Sequence, residues 1–238
     1  MTDLFAYLKA RPYPGRGILL GAASPAEQPC SIAAYFIMGR SENSRNRVFE
    51  KTEDGIRTVA KDKSLVTDPS LIIYHPVRLE GTDLIVTNGD QTDTVRDYLR
   101  EGRSFDAALR TRTFEPDAPN YTPRISGLLH RRGDYALSIL KTREGDREVC
   151  QRQFFEYDHA RLGIGHFIST YEGFGAPIPS FTGEPVAVAL PDIGAEELAE
   201  RIWDSLDEAN RVSLYVRYTN LRSGEPETVI LNKYGGRS

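Results

Sequence analysis

Ser31-Ile32-Ala33-Ala34-Tyr35-Phe36-Ile37-Met38 runs directly into Gly39-Arg40-Ser41-Glu42-Asn43-Ser44-Arg45-Asn46-Arg47. The first part is apolar and rich in β-branched and aromatic side chains, which predicts a buried strand. The second part sets Arg40, Arg45 and Arg47 beside small hydrogen-bonding side chains. Guanidinium groups this close repel one another unless an anion sits between them, and their planar forks suit phosphate oxygens. A solvated basic loop at a chain reversal is the plainer alternative. The neighbours of this stretch elsewhere in the chain favour the anion.

Upstream, Leu4, Phe5 and Leu8 carry a short helical pattern. It breaks at Tyr13-Pro14-Gly15-Arg16-Gly17, a turn leading into a first strand at 18–21 and then a connection at 22–28. Downstream, short strands are expected at 47–50 and 56–60 around the turn Glu53-Asp54-Gly55, then an apolar run from Leu71 to Tyr74 and strands at 77–79 and 84–87. Asn88-Gly89 supplies a turn before a helix capped by Thr92 or Asp93, with Val95, Tyr98 and Leu99 on one face. A second short helix is expected at 104–110. Thr113 to Pro123, interrupted by Pro116 and Pro119, reads as a long surface connection. Strands follow at 125–129, 135–140, 149–157 and 165–171, then a Gly- and Pro-rich loop at 173–185 and a strand at 186–190. A helix at 195–209 carries Leu198, Ile202 and Leu206 in one stripe, and strands at 212–219 and 228–231 close the chain. The pattern predicts an α+β fold of antiparallel sheets with helices on their outer faces, in a single domain spanning 1–238.

With 238 residues, 39% hydrophobic and 27% charged, the composition is that of a globular protein. A net charge of -4 argues against a general nucleic-acid or membrane binder, so the arginines are expected to act locally on a small anion. No apolar run reaches the length of a membrane span and residues 1–9 lack the core of a signal peptide, which points to the cytoplasm. Cys30 and Cys150 and the scattered His75, His130, His159 and His166 show no metal-ligand spacing, so neither metal nor cofactor is expected.

Four polar clusters fall at strand ends: Arg40 to Arg47, Asn88 to Asp93, Tyr121 to Arg124, and Tyr171-Glu172. Loops at one end of stacked sheets meet, so these are expected to converge on one cleft. Phosphate-loop, dinucleotide, nucleophile-elbow and zinc-peptidase motifs are missing.

Tyr13-Pro14-Gly15-Arg16, Arg40-Ser41 with Asn46-Arg47, Tyr74, Asn88-Gly89 with Thr92-Asp93, Thr122-Pro123-Arg124-Ile125 and Tyr171-Glu172, in that order, resemble the archaeal-type inosine monophosphate (IMP) cyclohydrolase family. The resemblance implies a four-layer αββα sandwich similar to the N-terminal-nucleophile hydrolases, without their catalytic first residue. It also implies closure of 5-formamidoimidazole-4-carboxamide ribotide (FAICAR) to IMP with loss of water, needing no cofactor. In that reading Tyr74, Asp90, Arg124 and Glu172 are catalytic candidates. Arg16, Arg40, Arg45, Asn46, Arg47, Asn88 and Tyr121 contact the nucleotide. The arginine loop is about one residue longer than the archaeal pattern, leaving Arg45 and Arg47 as alternatives for the phosphate, and Gln91 stands where a histidine is expected. The loop at 173–185 either covers the site or forms a homo-oligomer contact. Two rival readings are a purine-nucleotide-binding regulatory protein and a C–N amidohydrolase using Cys30 or Thr2 as nucleophile.

Overall fold

The computed structural model describes residues 1–65 and 73–237. The chain opens with β1 (Thr2–Asp3), α1 (Leu4–Lys9), β2 (Arg16–Ala23), β3 (Cys30–Met38) and α2 (Glu42–Arg45). β4 (Val48–Thr52), β5 (Gly55–Val59), β6 (Val77–Glu80) and β7 (Asp83–Thr87) lead to α3 (Gln91–Arg100) and α4 (Phe105–Arg110). β8 (Arg124–Leu129), β9 (Tyr135–Arg143), β10 (Asp146–Tyr157), β11 (Ile164–Ser169) and β12 (Val186–Ala189) follow. α5 (Ala195–Ser205), β13 (Arg211–Asn220), β14 (Pro226–Asn232) and β15 (Gly236–Arg237) complete it. Of the apolar run expected at Leu71 to Tyr74, Leu71 and Ile72 lie outside the described residues.

The strands form an 8-stranded sheet, ordered β1-β12-β11-β2-β3-β13-β14-β15, and a 7-stranded sheet, ordered β10-β9-β8-β7-β6-β5-β4. Alternation along β2 and β3 explains their stacking. Ile18, Leu20, Ala33, Tyr35 and Ile37 face a central core with Val86, Ile125, Leu137 and Ile139 of the second sheet. Leu19, Ile32, Ala34, Phe36 and Met38 point the other way and meet Leu4 and Leu8 of α1 and Leu198 and Ile202 of α5. A third core joins Ile85, Leu128 and Leu140 to Val95 of α3 and Phe105 and Leu109 of α4. Both faces of β2 and β3 are therefore covered, which is why these strands read as continuous apolar runs. Each fully buried aliphatic or aromatic side chain contributes about 1.5–3 kcal/mol to this arrangement.

Several sequence expectations need correction. Among the described strands the ladders are antiparallel except at one edge, where β1 runs parallel to β12 with Thr2 opposite Val188; an isolated parallel bridge joins Ala22 to Leu162. α3 starts at Gln91 with Asp90 at its N-cap, and Asp90 makes no side-chain cap bond. Thr92 is instead buried, its hydroxyl within 2.6 Å of that of Thr87. α5 ends at Ser205, four residues before Ala209, because Leu206 turns extended (φ -85, ψ 144). Leu206 keeps its place in the apolar stripe while leaving the helix, being only 4% exposed. Among the described residues no helix is long and apolar enough to cross a membrane.

Candidate active site

The start of β2, the end of β3, the start of β8 and the end of β11 lie at one end of the sandwich, and their loops enclose a cleft of about 280 Å³. The arginine stretch is split by α2. Ser41 caps this single turn, its hydroxyl accepting from Ser44 N at 3.1 Å while Ser41 N donates to Ser44 Oγ at 2.9 Å. Gly39 is required because a Cβ there would sit 2.6 Å from Ser44 Oγ. The turn sends the two alternative phosphate ligands in opposite directions. Arg45 donates to Gly39 O and to Asn210 Oδ1, each at 2.9 Å, and does not line the cleft. Arg47 lines it, 3% exposed, with Nε on Ser44 O and Nη1 buried without a hydrogen-bond partner among the described residues. Asn46 is occupied too, holding Asp62 through both a donated and an accepted bond at 2.7 Å.

Opposite stands Arg16, whose Nε is likewise buried with no hydrogen-bond partner among the described residues. The turn before it depends on Gly15, at φ +76 with room for no Cβ, since Thr170 Oγ1 would lie at 2.4 Å. This packs Tyr13 against Tyr171, ring centroids 6.1 Å apart, and Arg40 covers Tyr13 from the mouth of the cleft with its guanidinium 4.9 Å from the ring centre. Burial and then the neighbouring Arg16 lower the Arg47 guanidinium from its ordinary value. On Arg16 burial acts the same way, but Tyr13, Tyr74, Glu115 and Tyr35 outweigh it and hold the charge in place.

The segment expected as a surface connection between Thr113 and Pro123 supplies the opposing acid. Glu115, with Glu115 N bonded to Thr122 O at 2.9 Å, places its carboxyl in the cleft, 9% exposed. Burial pushes that carboxyl from its ordinary 4.5 up to about 7, with Arg16, Arg124 and Arg47 opposing the rise. Beside it runs a hydrogen-bond chain. Thr122 donates its hydroxyl to Asp117, so its oxygen accepts from the Tyr171 hydroxyl at 2.7 Å. Burial raises Tyr171 to about 12, which keeps this phenol neutral.

The remaining sequence candidates stand behind or beside the cleft. Asn88 is buried and saturated: Oδ1 accepts from Ile125 N and Gln91 Nε2, while Nδ2 donates to Pro123 O and approaches Glu115 at 3.5 Å. Arg124 donates to Gln91 Oε1 at 2.5 Å and pairs with Asp90 at 2.8 Å. Burial works against the Asp90 charge, but Arg112 and Arg124 outweigh it and hold the carboxyl below its ordinary value. Glu172 is exposed and accepts from Thr182 N and Oγ1 at 2.7 and 2.9 Å, so it ties down the 173–185 loop. Tyr121, at φ 45, packs edge-on against Phe114 and borders a neighbouring cavity of about 580 Å³. Tyr74 is buried at 6% exposure, within electrostatic reach of Arg16 and Arg47, its hydroxyl 2.9 Å from that of Tyr35.

The cleft thus gathers three guanidinium groups against Glu115 and Asp117, two of them with buried N–H groups that have no hydrogen-bond partner among the described residues. A family profile described as IMP cyclohydrolase-like protein matches residues 13–224. The chain belongs to the IMP cyclohydrolase-like family. It is 34% identical over 171 residues to the IMP cyclohydrolase of Methanopyrus kandleri, covering 71% of this chain and 79% of that protein. It is 27% identical over 164 residues to that of Methanosphaera stadtmanae, covering 67% of this chain and 74% of the relative. The matched range takes in every cleft residue named above. Within this IMP cyclohydrolase-like framework, Glu115 and Asp117 were missed by sequence reasoning because they sit in a proline-broken connection with no period to follow. The length of that connection was the available signal, since long irregular segments in compact folds are commonly functional.

Proposed function

We propose that this chain closes FAICAR to IMP with loss of water, as a cofactor-independent enzyme acting on a nucleotide. The observation that carries the reading is one cleft in which buried, unpartnered N–H groups of Arg16 and Arg47 face a buried carboxyl whose pKa is about 7. The guanidinium groups call for an anion, and a phosphate supplies up to two charges and oxygens for both forks. Arg40 at the mouth completes the phosphate site.

The reaction joins the carboxamide nitrogen of the substrate to its own formyl carbon. Holding the two in contact supplies much of the acceleration, because a fixed intramolecular geometry is equivalent to about 10⁵–10⁸ M of the attacking group. The carboxamide nitrogen releases one proton on attack and the formamido nitrogen releases another as the C=N bond forms. Both leave with the former formyl oxygen as water. Glu115 is the group suited to carry them: a carboxyl titrating near neutrality can accept a proton in one step and return it in the next. Tyr74 donates to the oxygen that becomes negative as the tetrahedral centre forms. Asn88 steadies Glu115 and its connection through Nδ2, Arg124 is engaged by Gln91 and Asp90, and the Asp90 and Glu172 carboxylates, already engaged, carry no proton transfer.

The whole chain, 1–238, is treated as one cytoplasmic domain whose layering is similar to that of the N-terminal-nucleophile hydrolases. The amidohydrolase alternative is disfavoured by position. Thr2 lies in edge strand β1, and Cys30 begins β3 at the end opposite the cleft, its thiol raised by burial and by Glu227. A purely regulatory nucleotide binder has no use for a carboxyl buried among arginines. The test compares the ribotide with the riboside lacking the phosphate: kcat/KM is expected to fall at least 1,000-fold for the riboside, roughly the value of two charge-assisted contacts. Equal rates for the two substrates would refute the phosphate site.

A further inference from the structure

Tyr35 lies on the face of β3 that meets the second sheet, fully buried, its ring stacked on Phe49 at 5.7 Å. Its hydroxyl is 2.9 Å from that of Tyr74, and among the described residues it has no other partner. Two hydroxyls carry two protons, and the bond between them uses one. If Tyr74 donated, the Tyr35 proton would be left unpaired in the core, a position that folded proteins avoid. If Tyr35 donates, the free proton belongs to Tyr74, which stands beside Arg16 and Arg47. Guanidinium groups accept no hydrogen bonds, so neither arginine can take that proton; an anionic oxygen in the cleft can.

We propose that Tyr35 is a positioning residue that fixes Tyr74 as a hydrogen-bond donor toward the negative oxygen of the ligand in the cleft. The inference rests on the ring-closure reading and adds a polarity to it. Tyr171 has the opposite polarity, because Asp117 claims the Thr122 proton and Thr122 in turn claims that of Tyr171. Tyr171 in the cleft wall thus offers an acceptor, and Tyr74, behind the wall beside Arg16 and Arg47, offers a donor, which restricts where an oxyanion and an N–H group of the substrate can lie.

The test uses Tyr35→Phe, Tyr74→Phe and the double variant, with ring-closure kinetics and thermal melting of each. Tyr35→Phe is expected to lower kcat roughly tenfold with KM within twofold, through loss of one orienting bond. Tyr74→Phe lowers kcat at least as far, and the double variant is no slower than Tyr74→Phe alone. Melting supplies a readout independent of activity. Tyr74→Phe strands the buried Tyr35 hydroxyl and lowers Tm by several degrees, the double variant regains most of that loss, and Tyr35→Phe melts close to wild type. Wild-type kcat in Tyr35→Phe, rate losses that multiply in the double variant, or a Tm order in which Tyr35→Phe is the less stable single variant would overturn the inference alone. A wild-type protein that binds FAICAR without closing it would overturn the reading beneath it, and the inference with it.

Discussion

Replacing Glu115 with Gln removes a titrating group and keeps its shape, which makes it the sharpest probe of this cleft. Two effects of opposite sign follow. The carboxyl is held at about 7 in the folded protein against an ordinary 4.5. Folding therefore favours its protonated form, and the unfolded chain gives up this proton more readily. Between those values the native state binds more protons than the unfolded one, so this group's contribution to stability falls as pH rises from about 4.5 to about 7. At 1.36 kcal/mol per pH unit the penalty reaches on the order of 3 kcal/mol above pH 7. Glu115→Gln escapes it. At pH 8 the variant is expected to melt several degrees above wild type, with the difference closing as pH falls from about 7 to about 4.5. Catalysis moves the other way: loss of a proton carrier lowers kcat by about 100- to 10,000-fold, and the inflection near pH 7 in the wild-type rate profile disappears. Thermal melts across pH and steady-state kinetics on the same preparations measure both. A variant that keeps wild-type kcat, or a rate inflection near pH 7 that survives the substitution, refutes the assignment. A variant less stable than wild type at pH 8 refutes the electrostatic account of the cleft.

Arg47→Ala is expected to raise KM by about 10- to 100-fold with little change in kcat, the signature of lost phosphate binding, as read from initial-rate kinetics. Melting of the ligand-free variant should change little, because the like charge of Arg16 loses its neighbour. Arg45→Ala should do the reverse, costing about 1–3 kcal/mol in denaturant titrations through loss of its bonds to Gly39 and Asn210, with KM within threefold. Gly15→Ala forces a Cβ into a left-handed position 2.4 Å from Thr170 Oγ1 and is expected to destabilise by more than about 2 kcal/mol, visible as reduced Tm and soluble yield. Cys30→Ala and Glu172→Gln are expected to keep wild-type kcat within about threefold, which would leave neither as a nucleophile nor as a proton carrier.

The sandwich was legible in β2 and β3 because both faces of these strands are covered and 17–23 and 32–38 carry no polar side chain apart from the Tyr35 hydroxyl. Of the four polar clusters, those at Arg40 to Arg47, Tyr121 to Arg124 and Tyr171-Glu172 each place a residue in the cleft, whereas Asn88 to Asp93 stands behind it, occupied with its own hydrogen bonds. Finer choices depended on geometry too short to leave a pattern. α2 has four residues and its reciprocal cap pairs two serines, without the glutamate that marks such caps in sequence. That one turn decides that Arg47 enters the cleft and Arg45 leaves it. β1 has two residues, so its parallel pairing with β12 carries no periodicity. Leu206 fits the stripe of α5 but lies outside the helix, because an apolar period reports which side is buried and not where the backbone turns extended. Glu115 carried no local signal of burial. Its environment is made by burial beside Arg16 and Arg47, which are remote from it in sequence, together with Arg124 at the end of its own connection.

The most direct test is to mix purified protein with FAICAR and follow the ultraviolet spectrum for the chromophore of IMP. The account predicts conversion at a catalytic rate by the wild type, at least 100-fold slower in Glu115→Gln. Tight binding of the ribotide without conversion, or conversion that the substitution leaves unchanged, would contradict it.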